Sequence, residues 1–271
     1  MKTVKNPKQA LTNQEAFIKA HRHEHHKVTF YRLCIFATFL LLWELAANTG
    51  IIDSFFFSSP SRVVACFIEL VTEKALFMHI GITLAETLLS FLLVLLISVS
   101  MATLLWYSTS VSSIAEPYLV VLNSLPKSAL APLFIVWLGT GTPTIIVAGI
   151  SVAVFGSIIN LYTGFKQADA AKITLIYTLG GSKRDAFKHV VLPYSIPTII
   201  SNMKVNIGLA LVGVIIGEFL AARRGLGYLI IYGSQVFQMH MVITSIIILC
   251  IIAMGLYQCI QWLEHYYKKK K

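Results

Sequence analysis

Charge is scarce in this sequence. Only 13% of its 271 residues are Asp, Glu, Lys or Arg, where a soluble domain carries about a quarter. No stretch is both long and polar enough to build a soluble domain. Paired cysteines are missing as well. Cys34, Cys66, Cys250 and Cys259 follow no paired spacing and three lie in apolar runs, so they read as small hydrophobes and imply no disulfide framework. There is no Cys-x-x-Cys, no His-Glu-x-x-His and no nucleophile elbow, and so no motif of an enzyme or a resident metal or cofactor. Gly180-Gly181-Ser182-Lys183 lacks the preceding glycine and the Gly-Lys-Ser/Thr order of a phosphate-binding loop. Gly225-Leu226-Gly227 ends at Ile230 where a third glycine would be needed, with no βαβ unit around it. The chain carries no means of using ATP, so active transport would draw its energy from a partner or an ion gradient. The first 32 residues contain no apolar core, so no cleavable signal peptide is expected.

Hydrophobic residues make up 56% of the chain and its mean hydropathy is +0.75. That balance reads as an all-α, polytopic membrane protein. Crossing a bilayer as a helix takes about 20 apolar residues, and six runs come near or exceed that length: 33–50, 80–106, 116–138, 143–164, 196–220 and 235–263. The third is expected to be broken by Pro126 and Pro132. The fourth carries Ala148, Gly149, Ser151, Ala153, Gly156 and Ser157, small residues that allow close helix packing. Glu86 sits in the first turns of the second run, facing the bundle interior. Lys127, Lys204 and Glu218 interrupt the later runs, and charges inside lipid are costly and usually functional. These three are candidates for a translocation path, although Lys127 also suits a side chain reaching for the interface.

The net charge of +10 would draw nucleic acid if clustered, but the positives sit at both termini and in the central loop. Six spans put both termini on one side. The tails and loops of that side carry 16 Lys or Arg and the opposite loops carry four, so the positive-inside rule places both termini and the central loop in the cytoplasm. Residues 1–32 are then a basic cytoplasmic tail, 33–267 a single transmembrane domain with a cytoplasmic loop at 165–195, and 268–271 a basic C-terminal tail. His21-Arg22-His23-Glu24-His25-His26 clusters imidazoles, but at no spacing of a zinc cage and with no cysteine; it reads as part of the basic tail near lipid headgroups. On the outer side, Phe55-Phe56-Phe57 forms an interfacial aromatic cluster, and 63–71 suits a short amphipathic helix.

One polar segment stands between the apolar runs and carries its own pattern, 177–197, YTLGGSKRDAFKHVVLPYSIP. Gly180 and Gly181 allow a tight turn and close approach of another surface. Ser182 is placed to cap a helix starting at Lys183, Asp185 lies in that helix's first turn, and Pro193 after Leu192 is expected to stop it.

This segment resembles the cytoplasmic loop of ABC-importer permeases. The family pattern is Glu-Ala-Ala, three residues, Gly, nine residues, Ile, one residue, Leu-Pro. Gly180 takes the glycine place, Val190 stands for the Ile and Leu192-Pro193 match outright, while Thr174-Leu175-Ile176 replaces Glu-Ala-Ala. Three further strings resemble the nitrate/sulfonate/taurine class of these permeases, the binding-protein-dependent transport inner-membrane components. They are Ser59-Pro60-Ser61, then Leu125-Pro126-Lys127-Ser128-Ala129-Leu130-Ala131-Pro132-Leu133, and Glu218 followed by Gly225-Leu226-Gly227-Tyr228-Leu229-Ile230. The resemblance implies a six-helix, type I importer permease in the cell membrane. It implies ATPase coupling through Gly180, Gly181, Ser182, Lys183, Asp185, Leu192 and Pro193. It also implies a cytoplasmic ABC ATPase dimer, a second permease copy and an extracytoplasmic substrate-binding protein as partners. Sulfonates, nitrate, taurine and pyrimidine vitamin precursors are cargoes of such permeases, and the basic residues suit an anion. The other readings are a self-contained secondary transporter or channel, which would favour repeated halves that are not visible here, and a membrane scaffold.

Overall fold

A computed structural model describes the backbone of residues 7–73 and 75–269, and side chains from residue 27 onward. Every regular element among the described residues is helical. The chain divides into two compact units, 1–64 and 65–271.

In the first unit, helix α1 spans Pro7–Asn48, so the segment expected to be a tail continues the helix of the first apolar run. Its apolar part is Lys27–Asn48. The side chains of 21–26 lie outside the described residues. α1 closes at Gly50, which takes φ +77°. A one-turn helix, α2 (Ser54–Phe57), is capped by Asp53, whose carboxylate accepts from Phe55 N at 2.8 Å. Helix α3 (Pro60–Thr72) then starts on the Ser-Pro-Ser string. Glu44 of α1 accepts from Ser61 N at 3.0 Å and from Ser61 Oγ at 2.8 Å, satisfying orphan donors at the positive end of that helix.

The second unit holds the bundle. Helix α4 is Ala75–Tyr107. α5 (Thr109–Ser124) and α6 (Lys127–Leu138) meet at an angle of 96°. The residue before a proline is pushed out of helical geometry, and Leu125 accordingly sits at φ −64°, ψ 139° ahead of Pro126. Pro132 lies inside α6 without ending it, so of the two prolines expected to break this run only Pro126 does. α7 (Thr142–Lys166) is the central helix. α8 (Ala170–Thr178) and α9 (Lys183–Ala186) follow, then a π-helical turn at Phe187–Val191, α10 (Leu192–Ala221), α11 (Leu226–Gln235) and α12 (Met239–Lys269).

Five described helices are long and apolar enough to cross a membrane, the fourth of them running continuously over Lys183–Ala221; the bent α5–α6 pair, counted as one span, makes six. Pro193 therefore does not stop the short helix as the sequence suggested. In the π turn the N–H of Leu192 reaches back to Phe187 O. Such a turn inserts one residue into the ladder and leaves a carbonyl without its usual donor, which is also what a proline does. The bulge absorbs the proline and the helix goes on.

Small residues bring the central helices together. A Cβ on Gly213 of α10 would lie 2.7 Å from Gly149 Cα of α7, one on Gly217 would lie 2.8 Å from Ile145 Cα, and one on Gly149 would meet Ser90 Oγ of α4 at 2.6 Å. Backbones this close trade apolar driving force, weak in lipid, for dense van der Waals contact.

Candidate functional site

The turn at 179–185 is built by two local rules. α8 ends in a Schellman motif: Gly181 N donates to Ile176 O at 2.9 Å and Gly180 N to Tyr177 O at 3.0 Å, with Gly180 at φ +83°. Gly181 is needed for space, since a Cβ there would stand 2.6 Å from Ile176 Cγ2. α9 then begins with a capping box. Ser182 Oγ accepts from Asp185 N at 3.3 Å, and Asp185 Oδ2 accepts from Ser182 N at 2.8 Å. Ser182 thus caps the helix at the position expected from sequence, and the Asp185 carboxylate is used within the turn.

The inner face of the turn is tied to the bundle. Lys183 Nζ donates to Tyr107 O at the end of α4, 2.9 Å away, and stands 5.5 Å from the Trp106 ring centroid. Phe187 packs against Trp106, Tyr107 and Phe165 at centroid distances of 5.2, 5.5 and 5.6 Å. Sequence reading passed over Phe187 and its partners, although its place among Ala186, Val190 and Val191 on the apolar side of the segment was a usable signal. Apolar side chains are exposed at the turn and in the helix leading into it: Leu179 is 76% exposed, and Leu175 and Tyr177 of α8 are exposed as well. Leu192 and Pro193 lie beyond the turn, at the joint between the π turn and α10. Pro193 shares a cleft of about 260 Å³ with Asp169, Lys172, His189, Val190 and Tyr194.

Glu218 is in a different place altogether. It is fully buried near the far end of α10. Thr83 Oγ1 donates to its Oε1 at 2.6 Å and Gly227 N to its Oε2 at 2.5 Å. Thr83 Oγ1 in turn accepts from Leu226 N at 2.9 Å, and His79 Nδ1 meets Gly225 N at 2.9 Å. The carboxylate holds the α10–α11 turn to α4. Its Oε2 serves one backbone N–H of that turn and its Oε1 a hydroxyl of α4, so a buried donor finds its partner there. The two glycines of Gly225-Leu226-Gly227 leave room for it: a Cβ at Gly225 would be 2.5 Å from Glu218 Cδ, and one at Gly227 would be 2.8 Å from Glu218 Cβ. His79 and Thr83 were missed in the sequence, yet His79, Thr83, Glu86 and Ser90 form a polar stripe at helical spacing on an otherwise apolar helix.

The two cations in the spans are already engaged. Lys127 donates to Leu122 O at the α5–α6 bend, where a cation satisfies the last carbonyls of a helix, and lies 5.3 Å from the Phe155 ring centroid. Lys204 of α10 pairs with Glu264 of α12, which also holds Lys268 at 3.0 Å. The structure brings 180–185 into one turn and leaves Lys127, Lys204 and Glu218 in three separate environments.

The described residues thus form a bundle of apolar helices with one exposed turn braced against the ends of α4 and α7. Residues 95–270 match the family model of the binding-protein-dependent transport system inner membrane component, and the chain belongs to that family. It is 30% identical over 234 residues, 86% of this chain and 94% of the other, to a probable ABC transporter permease protein of Haemophilus influenzae. It is 28% identical over 193 residues, 71% of this chain and 76% of the other, to the formylaminopyrimidine transport permease protein ThiX of Halalkalibacterium halodurans. Its fold is like that of the permease in the inward-facing MetNI methionine ABC transporter, with a TM-score of 0.62 at 16% identity over 71% of this chain and 95% of the other. The chain is a multi-pass membrane protein and a transport subunit of the ABC-importer type, not an enzyme.

Proposed function

We propose that this chain forms the translocation path for a small solute in the cytoplasmic membrane and couples to a cytoplasmic ATPase through 179–193. A second copy of the permease completes the path, and an extracytoplasmic binding protein delivers the solute. One observation carries the coupling reading. Leu179 of the 179–185 turn, with Leu175 and Tyr177 of the preceding α8, is exposed, while Lys183 and Phe187 brace the turn against the ends of α4 and α7. A partner pressing on the outer face moves that brace and the joint beneath it. From Lys183 the helix is continuous to Ala221, so a displacement at the turn is carried about 50 Å along one rod, at 1.5 Å per residue, to Glu218 and the opposite end of α4. The charge bias of the loops supports a cytoplasmic position for this turn and both termini, where an ATPase can reach the turn.

The test is the Gly180→Trp variant, which needs the φ +83° conformation that glycine alone adopts easily and puts bulk on the docking face. Membrane insertion should be normal, while co-purification of the ATPase, or coupling of its hydrolysis to uptake, should fail. Intact docking, hydrolysis and uptake in this variant would reduce the segment to a connector.

A further inference from the structure

Helices α7 and α10 are apolar along most of their length, yet both turn polar faces to one shared groove. Asn160 and Thr163 of α7 and Gln167 just past its end line it on one side, and Thr198, Ser201 and Asn202 of α10 on the other, each set recurring at the three- and four-residue spacing of one helix face. The groove holds about 300 Å³, within the size range of small-molecule sites. Gly164 makes room for it, since a Cβ there would stand 2.7 Å from Thr198 Cγ2. Polar side chains on membrane-spanning helices are costly in lipid and are kept where they serve a function.

The floor of the groove is built. Asn202 Nδ2 donates to Ser157 Oγ at 2.6 Å, and Asn206 Nδ2 donates to the same oxygen at 2.8 Å, with all three residues buried. This fixes the Asn202 carboxamide and leaves its Oδ1 with no partner, a costly state for a buried acceptor. The lining also has a notable chemistry: none of its residues is ionisable. The neighbouring cations on the same two helices are turned to other work, Lys204 to Glu264 and Lys166 to the face of Tyr162, 5.1 Å from its centroid. An anion drawn into this groove would lose hydration and meet no opposite charge, which is the unfavourable case for moving an ion out of water. Carboxamides instead present a donor beside an acceptor in one plane, the pattern that pairs with the edge of an amino-substituted heterocycle through two hydrogen bonds.

We propose that the α7–α10 groove is a solute-contact surface selective for uncharged solutes that carry a hydrogen-bond donor beside an acceptor, such as aminoheterocycles or primary amides, with Asn202 Oδ1 accepting from the donor. The proposal rests on the permease reading above and narrows its cargo away from anions.

The test uses the full chain in membrane vesicles, with the four native cysteines replaced and Ser201→Cys introduced at the rim of the groove. The rate of alkylation by N-ethylmaleimide is measured by mass spectrometry with cytosine or methanesulfonate present at equal millimolar concentration. Cytosine should slow alkylation severalfold and methanesulfonate should leave it unchanged. Adding Asn202→Leu should abolish the protection; Gln167→Leu, at an exposed position that leaves the Ser157 cluster intact, should weaken it. Equal protection by methanesulfonate, no protection by either probe, or full protection by cytosine in both leucine variants would overturn the proposal. Co-purification of the ATPase from the same vesicles reads the permease assignment separately, so loss of the partner with the protection pattern intact would count against that assignment alone.

Discussion

The carboxylate of Glu218 accepts from the backbone N–H of Gly227 at 2.5 Å and fills the space a side chain at that glycine would need. The contact closes the turn between α10 and α11 across nine positions of sequence, and Thr83 joins it from a helix 135 residues away in sequence.

Gly227→Ala should therefore destabilise the protein by about 1–3 kcal/mol, the usual cost of overpacking a tight site. The measurement is thermal unfolding in detergent. In a Glu218→Gly background the same substitution should cost clearly less, because both the Cβ and the carboxylate that a side chain at 227 would meet are gone. Additive effects of the two changes would mean that they do not share the site.

Thr83→Val removes a hydroxyl that both donates to Glu218 and accepts from Leu226 N. It leaves a buried carboxylate oxygen and an N–H unsatisfied, for a loss of about 1–3 kcal/mol each at most. Thr83→Ser keeps both bonds and should melt close to the parent. A valine variant as stable as the serine variant would show that the hydroxyl is dispensable.

Phe187→Ala empties the aromatic cluster of Trp106, Tyr107 and Phe165 while leaving the outer face of the turn untouched. ATPase binding should persist and uptake should fall, because the brace that carries movement to α4 and α7 is lost. Joint loss of binding and uptake would point to collapse of the turn instead.

The arrangement of the termini can be read with reporter fusions. Reporters placed after Lys271 and within 182–189 should both signal cytoplasm, and one near Ser59 should signal the outside. A cytoplasmic signal near Ser59 would contradict the six-span arrangement.

What could be read from the chain was set by local rules. Gly180, Gly181 and Ser182 act within five residues of themselves, so the glycine turn and the helix cap were legible. Pro126 acts on its neighbour Leu125, so the break was legible, though the 96° bend was not. Pro193 obeyed a rule that depends on register, and a π turn evades it. Glu218 was visible as an unusual charge, but its role depends on Thr83 and Gly227 arriving from other segments. Lys127 and Lys204 were visible as charges within apolar runs, but their partners Leu122 O and Glu264 are ones that only the fold supplies.

The coupling claim is tested most directly by contact. A photo-crosslinking amino acid is placed at Leu179, the exposed large apolar side chain of the turn, with Val136 of α6, 80% exposed, as the control position. The permease is then illuminated in membranes that contain its ATPase. The expected result is a permease–ATPase adduct from position 179 and none from position 136. Absence of the adduct at 179, with the complex still isolated intact, would contradict the assignment of this turn as the docking site.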